Sequence, residues 1–403
     1  MKKFKLLIIG GGTAGITMAA RMSKHLPQGS IGLIEPSEFH FYQPFWTLIG
    51  GGIGKKEQTR KSMQSLIPEG VTWIKDHVVS IQAPEKKVTL GSNEQVQFDY
   101  LIVAPGLVLD WSAIKGAQES LGRQGVHSIY TYEGAEQTAE ALKNFKSGKA
   151  IFYMPPVPIK CAGAPQKIMY LADEVFRKNH VRKNIDLQFY SNGAAIFGVQ
   201  HYQPVLNGVI AKKGITTHYL HRLIEIDGLQ KIARFARVDA QGTPTGETVE
   251  TRFDFLHVVP PQKAPQFLTD SGLAHKEGPQ KGWFKLDIHS LQHLDFPYIF
   301  GIGDAAGLPN SRTGAAIRME APVLEQNLMA AMNDKSLPAK YDGYSSCPIV
   351  TSFGKVVLAE FGYDNKLMPT FPIESARERR IYWVLKRWLL PKIYWYGMLK
   401  GRM

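Results

Sequence analysis

The first thirty-five residues constrain the fold of this chain more than any other stretch. An apolar run at residues 4–9 enters a glycine-rich segment at 10–15. An alanine-rich stretch at 13–25 follows, and a second apolar run at 31–34 ends in Glu35. This order of buried strand, glycine turn, helix and second strand predicts one βαβ unit that binds a dinucleotide. The alternative, a glycine-rich turn without a ligand, leaves the second strand and its terminal acid unexplained.

Each glycine of the turn has a physical reason in such a unit. Gly10 makes the tight turn, Gly12 lets the backbone approach a pyrophosphate, and Gly15 lets helix and strand pack closely. The helix N-terminus stabilises the phosphates, and Glu35 is placed to accept hydrogen bonds from ribose hydroxyls. The residues expected to contact the dinucleotide here are Gly10, Gly12, Thr13, Ala14, Gly15 and Glu35.

Two later segments indicate which dinucleotide is bound. Residues 98–106 form an apolar strand that runs into a small-residue turn, and residues 298–306 form another that runs into a Gly-Asp pair. The first resembles the strand that closes the FAD domain of two-dinucleotide flavoproteins. The second resembles their late motif, whose aspartate binds the ribityl chain. The three segments in this order favour FAD over NAD. The further FAD contacts expected are Gln43, Val78, Ala104, Pro105, Gly106, Gly303, Asp304 and Thr313.

Charge and cysteine content exclude several classes of function. The 403-residue chain carries a formal net charge of +13, and residues 377–403 hold eight Lys or Arg against one acid. Because the excess is concentrated there, a general nucleic-acid-binding face is not expected. The two cysteines, Cys161 and Cys347, form no CxxC or Cys/His cluster. No zinc, iron–sulfur or other metal site is therefore expected, and two buried small hydrophobic side chains are the plain alternative.

A second domain is predicted to start near Gly148, with an apolar strand at 149–154. In flavoproteins that use NADH, this strand leads to a second glycine turn. Here it leads to residues 155–165, which contain four prolines and Cys161. Proline lacks the N–H group that a pyrophosphate turn needs. We therefore expect that the domain has lost its nicotinamide site and that this loop presents Cys161 instead.

The segments around the two cysteines resemble those of sulfide:quinone oxidoreductases, in the branch that includes the animal mitochondrial enzymes. The resemblance is most specific at residues 158–167 and 341–351, it includes the aromatic loop at 41–48, and it extends to the C-terminal helices. Other branches of the family have a third cysteine between the first FAD strands and the second domain. This chain has none there, so a three-cysteine mechanism is excluded.

The resemblance implies that sulfide is oxidised at the Cys161/Cys347 pair, and that two electrons pass to FAD and then to a membrane quinone. Cys161 would be the sulfur-accepting persulfide carrier and Cys347 the flavin-reactive thiolate, although the sequence also allows the reverse. Lys160, His201 and His127 are candidates to lower a thiolate pKa or to shuttle a proton. A lone histidine is more often structural. The sulfane-sulfur acceptor is left open among sulfide, sulfite, glutathione and a polysulfide.

The C-terminal region is predicted to dock on an anionic lipid surface. Residues 374–388 have the pattern of a cationic amphipathic helix that ends at Pro391, and an aromatic segment follows at 393–399. A dimer-packing helix is the alternative, and a homo-oligomer is possible. The side chains expected at the quinone or membrane are Tyr344, Phe353, Phe361, Trp383, Trp388 and Trp395.

The predicted fold class is α/β, with two Rossmann-like domains of the FAD/NAD(P)-linked disulfide-reductase type and a C-terminal amphipathic helical membrane-docking region. The expected divisions are 1–115 and 271–335 for the FAD domain, 116–270 for the second domain and 336–403 for the docking region. Residues 71–74 and 87–90 are expected to pair as a hairpin. Without a leader or a long apolar stretch, we expect a peripheral protein of a bacterial inner membrane or an equivalent membrane. A type II NADH:quinone oxidoreductase and a non-catalytic flavin-binding redox sensor are the alternative functions.

Overall fold

The chain combines strand–helix units with two long runs of consecutive strands, at residues 60–109 and 216–263, and the computed structural model describes residues 2–403. The strands are β1 Lys2–Ile9, β2 Ile31–Ile34, β3 Phe39–Phe41, β4 Arg60–Ser62, β5 Val71–Ile74, β6 Val78–Gln82, β7 Lys87–Leu90, β8 Gln95–Val103, β9 Val108–Leu109, β10 Val126–His127, β11 Gly148–Met154, β12 Ile185–Ser191, β13 Thr216–Tyr219, β14 His221–Asp227, β15 Ile232–Val238, β16 Pro244–Arg252, β17 Phe255–His257, β18 Gln262–Lys263, β19 Ile299–Gly301, β20 Ser345–Ser352 and β21 Lys355–Phe361.

The α-helices differ widely in length, and short 3₁₀ turns lie between many of the elements. The α-helices are α1 Thr13–Met22, α2 Trp46–Gly50, α3 Ala117–Ser120, α4 Tyr132–Asn144, α5 Ala164–Lys178, α6 Gln203–Lys213, α7 Gln266–Asp270, α8 Gly314–Ala331, α9 Arg380–Val384 and α10 Leu390–Lys392.

The central sheet is built around β1. Its seven strands follow the order β5-β2-β1-β8-β7-β6, with β19 paired to β8. β1 runs parallel to β2 and to β8, with Leu6 opposite Ile31 on one side and Tyr100 on the other. Leu6 is fully buried, as expected for a central strand of a parallel sheet that is covered on both faces. The predicted βαβ unit is confirmed, although α1 ends at Met22 and does not reach His25.

The predicted hairpin is wrong in one of its two strands. β5 pairs with β2 in parallel and belongs to the central sheet. The strand that pairs antiparallel with β7 is β6, with Ile81 opposite Val88. The apolar residues of β5 extend the buried sheet beyond β2, and Nε1 of Trp73 donates a hydrogen bond to the carbonyl of Glu35. Apolar alternation alone does not distinguish these two pairings.

A second parallel sheet has the order β10-β17-β11-β12-β13, and an antiparallel sheet of β14, β15 and β16 lies next to it in the chain. Large aromatic side chains such as Phe152, Phe189 and Phe255 are buried in the core beside the parallel sheet. The α/β fold with two Rossmann-like units is therefore confirmed. The central sheet draws its strands from residues 2–103 and 299–301, while the domain boundaries given above stay a prediction.

The C-terminal helical segment differs from its prediction at both ends. It begins at Arg380, because residues 374–378 are irregular, and it continues through Pro391 as wide π turns at Leu385–Leu389 and Ile393–Gly397 on either side of α10. Pro391 lies at the start of α10, where a missing N–H is tolerated. The second half of the segment joins the main hydrophobic core through Tyr394, Trp395, Met398 and Leu399.

Candidate active site

One cavity of about 540 Å³ lies where the carboxyl ends of β1, β8 and β19 meet the cysteine loop and the C-terminal helical segment. Its wall includes the glycine turn after β1, the small-residue turn after β8 and the start of α8. The structure thus brings most of the predicted site residues to one place. The predicted residues that line the cavity are Gly12, Thr13, Ala14, Glu35, Gln43, Ala104, Pro105, Gly106, Lys160, Cys161, Asp304, Thr313 and Tyr344.

The glycine turn has the shape that a pyrophosphate requires. A Cβ on Gly10 would lie 2.2 Å from the carbonyl oxygen of Ala104, and one on Gly15 would lie 1.7 Å from the carbonyl oxygen of Gly10. Gly12, by contrast, lines the cavity and has no atom within 4 Å of an added Cβ. Two glycines therefore allow close backbone packing, and the third leaves open space at the N-terminus of α1, where phosphate oxygens are stabilised.

Glu35 is fixed at the end of β2 by two backbone groups. Its Oε2 accepts a hydrogen bond from the N–H of Gly11 at 2.6 Å, and its Oε1 accepts one from the N–H of Ser37 at 2.8 Å. The carboxylate lines the cavity beside the glycine turn. This position fits the predicted contact with ribose hydroxyls.

The Gly-Asp pair after β19 forms a buried polar cluster with two residues that the sequence patterns did not single out. Burial raises the pKa of Asp304, and Nε of Arg312 donates a hydrogen bond of 2.7 Å to the carbonyl of Asp304. Among residues 2–403, Nη1 of Arg312 is buried without a partner. Gly303 lies behind the cavity and donates its N–H to Glu320. A cavity-lining carboxyl and an unpartnered guanidinium nitrogen fit the polar atoms of a bound FAD.

The two cysteines meet beside this cavity. Cys161 lies in the loop between β11 and α5 with a left-handed φ of +50°, and its N–H donates to the carbonyl of Arg312 at 2.9 Å. Cys347 lies on β20 and is buried. A Cβ on Gly163 would lie 2.5 Å from Sγ of Cys347, so glycine allows the close approach of loop and strand. Both cysteines are free thiols in hydrogen-bond contact.

The two cysteines differ in acidity, because the hydrogen bond between them shifts their pKa values in opposite directions. The hydrogen bond from Cys347 and the ammonium group of Lys167 outweigh burial and hold the pKa of Cys161 well below its ordinary value. The same hydrogen bond, together with burial, raises the pKa of Cys347 well above its ordinary value. Cys161, on the cavity wall, is therefore the cysteine that ionises first, while Cys347 behind it keeps its proton.

Three lysines surround the thiolate. Nζ of Lys167 lies 3.2 Å from Sγ of Cys161, and this ammonium stays charged because the two sulfurs outweigh its burial and raise its pKa. Nζ of Lys386 donates to the carbonyl of Pro44, and burial beside Lys167 lowers the pKa of Lys386 to about 8. Burial also lowers the pKa of Lys160 to about 8, and its Nζ donates to Oε1 of Gln43.

Lys167 and Lys386 were missed at the sequence level for different reasons. Lys167 follows Gly163 by one helical turn, so helical spacing could have placed it on the face of α5 next to the loop that carries Cys161. Lys386 belongs to the basic cluster at 377–403, and nothing in the sequence separates this buried lysine from its exposed neighbours.

Three predicted residues lie away from the cavity. His127 stacks on Phe255 in the second sheet, with ring centroids 5.2 Å apart, and burial lowers its pKa to about 4. His201 is exposed and lies 3.5 Å from Glu374. Val78 starts the edge strand β6, far from β2 in the strand order. Neither histidine is placed to act on the cysteines, and Val78 does not line the site.

Two of the aromatic residues predicted at the quinone or membrane also do not line the cavity. Phe353 lies in the turn between β20 and β21, where its N–H donates to Glu174. Phe361 packs against Phe197 in the core of the second domain, with ring centroids 6.0 Å apart. Tyr344 does line the cavity, and its hydroxyl donates to Oε1 of Glu360 at 2.5 Å.

The C-terminal segment closes the cavity. The hydroxyl of Tyr394 lies 2.8 Å from Oγ1 of Thr13 and 2.5 Å from Nε2 of His40, next to the glycine turn. Trp395 is buried against His40, and this burial corrects its predicted place at a membrane. The predicted docking region is thus also part of the cofactor enclosure. Its cavity-lining residues are Leu385, Lys386, Leu389, Leu390, Ile393, Tyr394 and Met398.

The other face of this segment is apolar and exposed. Ile381, Val384 and Trp388 are 65%, 54% and 58% exposed, and Trp383 is partly buried. The guanidinium of Arg387 lies 4.8 Å from the ring centroid of Trp388. Within residues 2–403, no helix combines the length and apolar character needed to cross a membrane, and no group of His, Cys, Asp or Glu is arranged to hold a metal ion.

The fold and the cavity define an FAD-dependent oxidoreductase with a cysteine pair beside the cofactor site. Residues 4–151 match the family model described as pyridine nucleotide-disulphide oxidoreductase. The crystal structure of the sulfide:quinone oxidoreductase from Aquifex aeolicus has the same fold, with a TM-score of 0.80 at 19% identity over 100% of this chain and 92% of that chain.

Two relatives show the family. The chain is 40% identical over 400 residues to the mitochondrial sulfide:quinone oxidoreductase of Dictyostelium discoideum, covering 99% of this chain and 86% of that protein. It is 39% identical to that of Mus musculus, covering 99% and 87%. The chain belongs to the sulfide:quinone oxidoreductase family. It is an enzyme that uses FAD and couples the oxidation of sulfide to the reduction of a quinone.

Proposed function

We propose that Cys161 and Cys347 are the redox pair of this reaction and that sulfide becomes sulfane sulfur on them. The observation that carries the proposal is the contact of the two sulfurs with each other and with the ammonium of Lys167, on the wall of the FAD cavity. A lowered thiolate pKa beside a cation is the usual mark of a reactive cysteine. The alternative of two inert buried thiols does not account for the buried lysine.

The reaction on the pair balances as a thiol–disulfide exchange. Hydrosulfide attacks one sulfur of the oxidised pair, the S–S bond breaks, and a persulfide forms on one cysteine while the other leaves as a thiolate. An acceptor then takes the outer sulfur, which leaves two reduced cysteines. Their reoxidation to the disulfide releases two electrons. When bound in the cavity, FAD would supply a two-electron acceptor for the cysteines and a donor for the quinone.

The geometry supports the opposite assignment of the two cysteines from the one that the resemblance implies. Cys161 carries the thiolate and lines the cavity, whereas Cys347 retains its proton and lies behind it. We therefore assign Cys161 as the thiolate that donates electrons to FAD and Cys347 as the cysteine that carries the persulfide. Lys167 stabilises the Cys161 thiolate when it leaves the S–S bond.

The quinone occupies the end of the cavity that is lined by Tyr344 and by the C-terminal segment. The apolar wall formed by Leu385, Leu390 and Ile393 suits a lipid-soluble ring, and the exposed face of the same segment docks on an anionic lipid surface. The lysines around the cysteines favour an anionic sulfane-sulfur acceptor. A bacterial inner membrane and a homo-oligomer stay predictions, and the two relatives compared above are mitochondrial enzymes.

Anaerobic stopped-flow spectroscopy tests the proposal. Sulfide should bleach the flavin of the wild-type enzyme, and a quinone should restore its colour. Cys161→Ser and Cys347→Ser should keep FAD bound and lose the bleaching by sulfide. Ser352→Ala, at the far end of the strand that carries Cys347, is the control and should bleach normally. Normal turnover in either cysteine variant would contradict the two-cysteine relay.

The same experiment separates the alternative functions. A type II NADH:quinone oxidoreductase would be bleached by NADH, but the loop before α5 contains Cys161 where a second glycine turn would bind that cofactor. A non-catalytic redox sensor would be bleached by sulfide and would not be reoxidised by quinone. Bleaching by NADH without bleaching by sulfide would overturn the proposed chemistry.

A further inference from the structure

A buried carboxylate lies at the quinone end of the cavity and has no part in the sulfur chemistry. Glu360 is on β21, only 3% exposed, and it lines the cavity. Among residues 2–403, no Lys, Arg or His forms an ion pair with it. A buried carboxylate is normally paired with a cation or held by several hydrogen bonds. Here it is held only by hydrogen bonds.

Those hydrogen bonds connect the protein surface with the cavity. Thr370 is exposed, and its hydroxyl donates to Oε1 of Glu360 at 2.5 Å while its N–H donates to Oε2 at 3.0 Å. On the other side, the hydroxyl of Tyr344 donates to the same Oε1 at 2.5 Å. The hydroxyls of Tyr344 and Thr370 are 3.3 Å apart. All three residues line the cavity, and Thr370 is the one exposed to solvent, so the hydrogen bonds lead from exposed Thr370 through buried Glu360 to buried Tyr344.

The tyrosine at the inner end is in the right state to donate a proton. Burial and the hydrogen bond to Glu360 raise the pKa of Tyr344 to about 12, so its hydroxyl is protonated at neutral pH. Its side chain is 6% exposed and lines the cavity. A proton that leaves Tyr344 towards the cavity can be replaced through Glu360 without passing the cysteines.

We propose that Thr370, Glu360 and Tyr344 form a proton relay that supplies one of the two protons needed to convert the quinone into a quinol. When bound, the reduced cofactor would supply both electrons and the other proton. On the relay side, the O–H bond of Tyr344 breaks as an O–H bond forms on a quinone oxygen. Water protonates the Glu360 carboxylate through the hydroxyl of Thr370, and Glu360 passes this proton to Tyr344 as the phenol proton leaves, so that Glu360 ends as a carboxylate again. The inference rests on the quinone site proposed above.

The test isolates the oxidative half of the reaction. The bound FAD is reduced with dithionite, so that the cysteines are not needed, and its reoxidation is followed with a short-chain quinone or with ferricyanide, which takes electrons and no proton. Glu360→Gln should lower the saturating rate with quinone by about 10²-fold, the usual size of a general-acid effect. The rate with ferricyanide and the quinone concentration at half-saturation should not change.

A solvent isotope effect distinguishes proton delivery from a structural role. It should increase in Glu360→Gln with quinone, since proton transfer then limits the rate. The control is Glu378→Gln, because Glu378 also accepts a 2.5 Å hydrogen bond, from Thr351 of β20, but lies 3.5 Å from Nζ of Lys355 and does not line the cavity. This variant should reoxidise like the wild type.

Three results would overturn the relay. They are an unchanged quinone rate in Glu360→Gln, an equal loss with ferricyanide, and the same loss in Glu378→Gln. If Glu360→Gln does not bind FAD, the quinone rates of Tyr344→Phe and of the surface variant Thr370→Val test the relay instead. Wild-type rates in both variants would refute the relay. Failure of the wild-type enzyme to be bleached by sulfide would instead contradict the sulfur chemistry and leave this readout intact.

Discussion

Nζ of Lys167 lies 3.2 Å from Sγ of Cys161 and donates a hydrogen bond to it. Cys161 precedes and Lys167 follows Gly163, the N-cap residue of α5, so the start of one helix positions both the thiolate and the cation. In a nucleotide-binding domain this helix start would face a pyrophosphate. In this enzyme it stabilises a sulfur anion instead.

Lys167→Gln should make Cys161 less acidic. The hydrogen bond from Cys347 remains, but the loss of the ammonium group should raise the pKa of Cys161, with a fall in its thiolate fraction on the order of tenfold at a pH below that pKa. Alkylation of Cys161 by iodoacetamide and bleaching of the flavin by sulfide should both slow, and both should recover as the pH is raised.

Lys178→Gln is the control for this prediction, since Lys178 is exposed at the other end of α5. Its pH profile should match that of the wild type. An unchanged profile in Lys167→Gln would show that Cys347 alone sets the acidity of Cys161.

Gly12 and Gly15 should respond differently to a side chain. Gly12→Val places its methyl groups in open cavity space, so the protein should fold and lose FAD. Gly15→Ala forces a Cβ against the carbonyl of Gly10, so it should lower the free energy of unfolding by about 1–3 kcal/mol or more. FAD absorbance after gel filtration, together with urea unfolding of the apo proteins, measures both effects. A yellow Gly12→Val protein would contradict the first expectation.

The sequence was informative where one residue type has one physical use. Gly10 and Gly15 predict a βαβ turn because a Cβ at either position would clash with a backbone carbonyl, and Gly12 leaves open cavity space at that turn. The segments around Cys161 and Cys347, 186 residues apart in the chain, were rightly expected to meet. In both cases a local motif carries the information.

The sequence was ambiguous where one pattern has two physical uses. Tyr394 and Trp395 are aromatic residues among basic ones, which suits a membrane interface and equally suits a helix that packs on a core, and here they are buried. Lys386 and Arg387 are neighbours in the same basic cluster, yet only Lys386 faces the cysteines. His201 could not be separated from an ordinary surface histidine without the tertiary structure.

Three buried histidines and the partly buried His127 should make the enzyme sensitive to acid. Burial lowers the pKa of His40, His127 and His293 to about 4 and that of His257 to about 3. The unfolded chain binds protons at these histidines below pH of about 6.5, whereas the folded chain does not, so the free energy of unfolding should fall as the pH is lowered from there towards about 4. For each histidine, a tenfold difference in proton affinity between the folded and the unfolded chain corresponds to about 1.4 kcal/mol.

Urea unfolding across this pH range tests the expectation. His127→Phe removes one of the four histidines from a site where it already stacks on an aromatic ring, so the loss of stability with acid should become shallower. His180→Phe replaces an exposed histidine and should leave the slope unchanged. Equal slopes in both variants would show that His127 titrates normally in the folded protein.

The exposed apolar face at the start of the C-terminal segment should control binding to lipid. Ile381 is 65% exposed beside Val384 and Trp388, and it does not line the cavity. Burying such a side chain contributes about 1.5–3 kcal/mol, so Ile381→Asp should weaken flotation with anionic liposomes at least tenfold. Leu229→Asp is the control, because Leu229 is 85% exposed at the turn between β14 and β15, away from the C-terminal segment.

Bleaching by sulfide should be normal in both variants, since neither residue is near the cysteines. Reoxidation by a long-chain quinone in liposomes should slow only in Ile381→Asp, and reoxidation by a short-chain quinone in neither. If both variants float like the wild type, the exposed face is not a lipid-binding surface.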